Sequence, residues 1–179
     1  MITVGTAAPA LAGQPVFGLP FELSRLQRRG PVVVAFLGGL SGAAALENVQ
    51  RLTTIWPRVD AKAGGMVGIT RSPLEAARDF VPRHHVLFPV LCDEAGQHTA
   101  AWGVGRATGL AALLLRARPD LLRRAVSVVR TGQPMPEAHP DQLPAAFVVG
   151  SDGRVRYGWY GTGPSALLDG EALWAAAEP

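Results

Sequence analysis

Nucleophilic and metal-binding side chains are few in this sequence of 179 residues. The single cysteine, Cys92, excludes an internal disulfide and every metal site built from several thiolates. Four histidines are present, but His84 and His85 are adjacent, and no His-x-x-x-His pair of the kind that binds zinc on a helix occurs. We therefore expect no metal ion and no other cofactor.

Cys92 is the only thiol that could carry redox chemistry. No lysine, arginine or histidine lies within five residues to lower its pKa, and Asp93 and Glu94 would raise it. Most free cysteines pack as small apolar residues. The packing role is therefore favoured, and a nucleophile for peroxide reduction or thiol exchange is the alternative.

A second candidate lies in "FLGGLSGAAALE", where an apolar strand runs through a glycine turn into an amphipathic helix. Ser41 has a hydroxyl, but a serine nucleophile needs a strong base beside it, and no histidine is near in sequence. Ser41 is therefore predicted to be the helix N-cap. Backbone N–H groups at such a turn can hold an anion, which makes Gly39, Ser41, Gly42 and Ala43 a candidate ligand-binding site.

Two continuous apolar runs, "PVVVAFL" and residues 66–70, predict central strands buried on both faces. An amphipathic helix follows each run. The first helix carries its apolar residues on one stripe and is ended or kinked by Pro57. The second spans residues 73–81, with Ser72 as its N-cap.

Shorter elements complete the predicted order. Strands near residues 16–17 and 21–23 form an N-terminal β-hairpin, and a further strand covers residues 86–93. A late hairpin, "LPAAFVVGSDGRVRYGWYG", and a terminal helix close the chain. This order predicts an α/β protein with a central mixed β-sheet flanked by helices, in a single domain over residues 1–179.

A helical insert is predicted over residues 107–131. Its leucines and valines present more apolar surface than exposed helices leave in water. Docking on the domain itself is favoured, and a homodimer interface or a groove for an apolar ligand is the alternative. The residues assigned to that dimer interface are Leu110, Leu114, Leu122 and Val126.

Charge and hydropathy limit the partners. The net charge is +3, and the arginines of the insert are best interpreted as a solvated helix face, so no nucleic-acid partner is expected. No apolar stretch is long enough to form a transmembrane segment. The opening "MITVGTAAPALAG" lacks the pattern of a signal peptide, and a cytoplasmic protein is the plain expectation.

Four phrases, in the right order, resemble the peroxiredoxin-type branch of the thioredoxin fold, the alkyl hydroperoxide reductase and thiol-specific antioxidant family. They are "VGTAAPAL", "GPVVVAFLGG", "FPVLCDEAGQHTAAWGV" and "LPAAFVVGSDGRVRYGWYG". The resemblance covers residues 4–106 and 142–178. It implies a thioredoxin-like fold and an antioxidant oxidoreductase that reduces peroxides through a cysteine.

The departures from the family pattern concern the active site. The family's cysteine lies in the first turn of the helix after the glycine turn, as Thr-x-x-Cys or Cys-Pro-x-Cys, and these positions map to Gly42 and Ala45 here, with Ala43 in place of the proline. An arginine that usually precedes the last parallel strand maps to Pro144, which resembles instead the cis-proline of thioredoxin-like sites. The resemblance therefore implies a degenerate site formed by Ser41, Gly42, Ala45 and Pro144.

These observations favour a peroxiredoxin-like domain without the peroxidatic or Cys-x-x-Cys cysteines. The leading hypothesis is a non-catalytic protein that binds a protein partner or a small-molecule ligand. The alternative is a thiol-dependent peroxide reductase that works through Cys92, so the sequence leaves open whether the protein is an enzyme.

Overall fold

The structure, a computed structural model, describes residues 1–62, 64–108, 139 and 141–178. In chain order its elements are β1 (Ala12–Gly13), β2 (Phe21–Glu22), α1 (Leu23–Leu26), β3 (Val32–Gly38), α2 (Ala43–Ala61), β4 (Gly65–Thr70), α3 (Leu74–Arg83), β5 (Val90–Cys92), α4 (Gln97–Ala101), β6 (Ala145–Val149), β7 (Val155–Tyr160) and α5 (Gly170–Ala177).

The main sheet has five strands in the order β5-β4-β3-β6-β7. The crossovers through α2 and α3 make β3, β4 and β5 parallel, and β6 and β7 are antiparallel to their neighbours. The predicted mixed sheet with flanking helices and an N-terminal hairpin is confirmed. The resemblance implies that the strand after Pro144 is the last parallel strand. This prediction is wrong, because β6 runs antiparallel to β3.

Both faces of the central strand are buried, as its unbroken apolar run predicts. Val33, Ala35 and Leu37 pack on the face that α2 and α5 cover. The intervening side chains of β3 pack on the opposite face, with Phe147 and the fully buried Trp102. A strand buried on both faces has no side in contact with solvent, and its sequence therefore shows no alternation of apolar and polar residues.

Three local predictions need correction. The first hairpin strand is Ala12–Gly13, not residues 16–17, because the Val16 amide donates instead to the Val90 carbonyl at 2.8 Å. The strand predicted over 86–93 is only Val90–Cys92. Pro57 does not end α2, which continues to Ala61 with buried side chains on both sides of the proline. That burial offsets the hydrogen bond that a proline removes from a helix.

The predicted insert lies almost wholly outside the described residues, which stop at 108 and resume at 139. The dimer residues Leu110, Leu114, Leu122 and Val126 therefore stay predictions, as does the single-domain division. Among the described helices, none combines the length and the apolar character that crossing a bilayer requires.

Candidate functional site

The turn after β3 is shaped by Gly38, whose φ of +70° is unfavourable for a residue with a side chain. A Cβ at Gly38 would also lie 3.2 Å from the backbone oxygen of Gln142. The segment that leads into β6 therefore packs directly against the end of β3. The pairing of Phe36 with Ala145 places Pro144 near the end of β3.

The end of β4 fixes the turn through a chain of hydrogen bonds. The Leu40 amide donates to Ser72 Oγ at 2.9 Å, the Ser72 amide donates to Thr70 Oγ1 at 3.0 Å, and Thr70 Oγ1 donates to the Gly38 carbonyl at 2.8 Å. The prediction of Ser72 as the N-cap of α3 is wrong, because its hydroxyl serves this turn and Pro73 occupies the N-cap.

The first turn of α2 presents alanine side chains and no thiol. Gly42 is the N-cap, without a side-chain capping bond, and Ala45 is buried. The prediction of Ser41 as N-cap is wrong, because the helix starts one residue later and Ser41 lies exposed outside it. A Cβ built on Gly42 would meet nothing within 4 Å, so the N-cap position is open space rather than a filled pocket.

Pro144 is buried, and the sequence leaves open whether the bond before it is cis; within the described residues no peptide bond is cis. Its carbonyl accepts from the Gly161 amide at 2.8 Å and so extends the pairing of β6 with β7 by one residue. Pro144 here is the start of a strand ladder, where a missing amide is tolerated.

Cys92 is half-buried at the end of β5, away from the helix N-terminus. It pairs in register with Thr70, which pairs in turn with Gly38, so two strand spacings, roughly 10 Å, separate its backbone from that of the turn. Burial and then the carboxylate of Glu94 raise the pKa of the Cys92 thiol to about 11, while Arg78 acts in the opposite direction.

A cavity of about 370 Å³ adjoins this thiol. Its lining comes from the N-terminal segment, from α3 and from the end of β5: Gln14, Pro15, Val16, Leu74, Arg78, Cys92 and Glu94. Of the two acidic neighbours predicted to raise this pKa, Glu94 does so, whereas the Asp93 carboxylate accepts from the amides of His98 and Thr99. Arg78 was not predicted, because it is 14 positions away in the chain and reaches the site through the β5–α3 packing. At neutral pH the thiol is protonated, and a protonated thiol is a weak nucleophile.

Sequence reasoning missed a group of ionisable side chains at the same edge of the sheet. Arg71 follows β4, Arg106 follows α4, and His139 precedes β6. Arg71 Nη2 lies 3.0 Å from His139 Nε2, Arg106 Nη2 lies 3.5 Å from His139 Nδ1, and Arg106 Nη2 donates to Asp141 Oδ1 at 2.9 Å. Only Arg71 directly follows a strand end, where residues gather at one edge of an open α/β sheet, so the sequence carries no signal that joins the three residues.

Burial and neighbouring charges favour the neutral form of the His139 ring. Burial and then the positive charges of Arg71 and Arg106 lower the pKa of His139, and Asp141 only partly offsets them. A neutral imidazole accepts a hydrogen bond at one ring nitrogen only. The two guanidinium groups therefore compete for one acceptor on this ring.

The fold is that of a thioredoxin-like α/β protein, and the first turn of α2 contains no cysteine. The model of the AhpC/TSA family matches residues 4–158, and the chain belongs to this family. The family resemblance stated from the sequence is thereby confirmed. No match was found among curated proteins.

Solved structures show the same fold at low sequence identity. Peroxidoxin BcpB from Mycobacterium tuberculosis is similar with a TM-score of 0.70 and 18% identity, over 99% of this chain and 97% of that one. A cysteine-to-serine mutant of peroxiredoxin Q from Xanthomonas campestris has a TM-score of 0.66 and 15% identity, over 93% and 88%. The 1-Cys peroxiredoxin of yeast mitochondria has a TM-score of 0.69 and 10% identity, over 97% and 74%.

Proposed function

We propose that this protein is a non-catalytic member of its family that binds a protein partner or a small molecule at the degenerate site. One observation supports this most strongly: the first turn of α2 presents Ala43, Ala44 and Ala45, and the chain's single thiol lies two strands away. Reduction of a peroxide needs a thiolate that attacks the O–O bond, and neither an alanine nor a glycine supplies one.

The ligand-binding part of the proposal concerns Gly39, Ser41, Gly42 and Ala43. The N-terminus of α2 supplies a partial positive charge, and the N-cap position offers open space for a ligand atom. A homodimer through the predicted insert and a cytoplasmic location, both derived from the sequence, remain parts of the proposal.

The rival function is a thiol-dependent peroxide reductase that uses Cys92. The cavity beside the thiol and the proximity of Arg78 favour it, because a nucleophile needs access and a positive neighbour. Against it, burial and Glu94 outweigh Arg78 and keep the thiol protonated at neutral pH.

A peroxide-consumption assay with dithiothreitol separates the two functions. We expect no consumption above the rate with dithiothreitol alone, for the protein and for Cys92→Ser alike. A cysteine-containing peroxiredoxin assayed in parallel shows that the conditions support turnover. Consumption that disappears in Cys92→Ser would overturn the non-catalytic proposal in favour of the rival.

A further inference from the structure

We propose that Arg71, Arg106 and His139 form a binding site for a small carboxylate anion, at the edge of the sheet that also carries the degenerate turn. These three residues form the arginine site. The inference deepens the proposed binding role and rests on it, since it names the chemistry of a ligand that the first turn of α2 does not specify.

Arg71 is a cation without an acidic partner in the described part of the chain. Its Nη2 donates to the backbone oxygen of Glu94 at 2.9 Å and contacts His139, and both of these partners are neutral. Its Nε is buried and has no hydrogen-bond partner among the described residues. A half-buried guanidinium that has only neutral acceptors is a strong attractor for an anion.

Arg106 and His139 also carry N–H groups that can donate hydrogen bonds to an anion at the same place. Arg106 pairs with Asp141, yet its side chain remains 48% exposed and its guanidinium also faces His139. Because the neutral ring accepts at only one nitrogen, at least one of the two guanidinium N–H groups that face it lacks an acceptor there. An oxygen atom of a carboxylate can accept this remaining bond.

The net charge of these side chains favours a monoanion over a dianion. Among the four side chains in direct contact, Arg71 and Arg106 contribute two positive charges, Asp141 contributes one negative charge, and the lowered pKa of His139 favours its neutral form, so these four side chains leave one positive charge. A monoanionic carboxylate neutralises that charge. A phosphate dianion would leave an excess negative charge unless His139 took up a proton, so we expect phosphate to bind more weakly at neutral pH.

The arginine site is connected to the degenerate turn through shared neighbours. The Arg71 amide donates to the Gly38 carbonyl at 2.9 Å. Gln142 donates through its amide to the His139 carbonyl at 3.2 Å, and its own carbonyl is the group that packs against Gly38. The backbones of Arg71 and Gln142 therefore both contact Gly38, the residue that begins the degenerate turn.

The test is a titration of the whole protein with sodium acetate at pH 7, followed by NMR of the four histidine rings. His139 is assigned from the signal that His139→Gln removes. We expect a saturable shift of that signal with acetate, a much smaller effect of sodium chloride at equal ionic strength, and weaker binding of inorganic phosphate. Arg106→Gln should weaken acetate binding about tenfold, the loss of one charge-assisted hydrogen bond.

Arg28→Gln is the matched control, because Arg28 is an exposed arginine away from the site and its removal changes the net charge equally. It should leave acetate affinity unchanged. Equal weakening in both variants, or one non-saturable shift of all four rings, would overturn the arginine site. Tighter binding of phosphate than acetate would overturn the carboxylate assignment. None of these outcomes bears on the peroxide assay, so the non-catalytic proposal stands or falls separately.

Discussion

The guanidinium of Arg71 lies against the α-carbon of Gly96 so closely that a Cβ at residue 96 would be 2.3 Å from Nη1 and 2.8 Å from Cζ. Gly96 also has a φ of +75° as the N-cap of α4. Gly96, three residues after Asp93, therefore meets two requirements at once. It makes the turn after Asp93 possible, and it leaves room for the arginine that faces His139.

Gly96→Ala is expected to lower the free energy of unfolding by about 1–3 kcal/mol, because it combines a strained positive φ with displacement of Arg71. Urea denaturation measures this. The loss should become smaller in an Arg71→Gln background, where the clash is relieved and only the backbone strain remains.

Gly163→Ala provides the control for this series, since a Cβ there meets nothing within 4 Å and φ is not positive. It should change stability by less than about 0.5 kcal/mol. If Gly96→Ala lowers the free energy of unfolding equally with and without Arg71, the packing of the guanidinium against Gly96 does not contribute to the effect of the substitution.

The raised pKa of Cys92 gives the protein a specific alkaline sensitivity. In the unfolded chain this thiol ionises near pH 9.0, whereas in the folded protein it does so at about 11. The folded state therefore holds the proton more tightly, and stability should fall as the pH rises through the interval from 9 to 11. Thermal denaturation of the wild type and Cys92→Ser over this interval measures the effect, which should be smaller in the variant.

Two variants of the neighbouring charges should move the pKa of Cys92 in opposite directions. Glu94→Gln removes a carboxylate and should lower the pKa, and Arg78→Gln removes a positive charge and should raise it. The pH dependence of the rate of alkylation by iodoacetamide reports both. Shifts of the same sign would mean that the charges of these two side chains do not control the thiol.

The architecture could be predicted from the sequence because the main elements carry strong local signals. The run over Val32–Leu37 is apolar at every position, and the structure buries both of its faces. Predictions from single residue types were wrong where tertiary contacts determine the hydrogen bonds of a side chain. Ser72 has the right type for an N-cap, but its hydroxyl is used by the amide of Leu40, 32 positions away.

The cationic part of the site could not be predicted in the same way. Arg71, Arg106 and His139 occupy three separate segments, and nothing in the local sequence distinguishes them from solvated charges. The pairing of β3 with β4 and with β6, together with the antiparallel bridge between Arg106 and Gln142, brings these segments to one edge. The residue types in the first turn of α2, which include no cysteine, can be identified from the sequence alone because they depend on no distant partner.

The pKa of His139 should respond to the charges of Arg106 and Asp141, which shift it in opposite directions. Arg106→Gln removes a positive charge and should raise this pKa toward 6.5, whereas Asp141→Asn should lower it further. Because the folded pKa is depressed, the contribution of this residue to stability is present above pH 6.5 and is lost as the pH falls. NMR titration of the ring measures each pKa, with Arg28→Gln as a variant that should leave it unchanged.

A thiol introduced at the start of α2 should show whether the helix still favours a thiolate. Gly42→Cys in a Cys92→Ser background places the sulfur at the N-cap, where a Cβ has open space, and Gly163→Cys in the same background is an equally uncrowded control. The partial positive charge of the helix should lower the thiol pKa at residue 42 by about 0.5–1 pH unit relative to residue 163. The pH dependence of alkylation measures both values. Equal pKa values would show that the N-terminus of α2 does not stabilise negative charge, and the ligand-binding proposal for Gly39–Ala43 would lose its electrostatic basis while the arginine site would not.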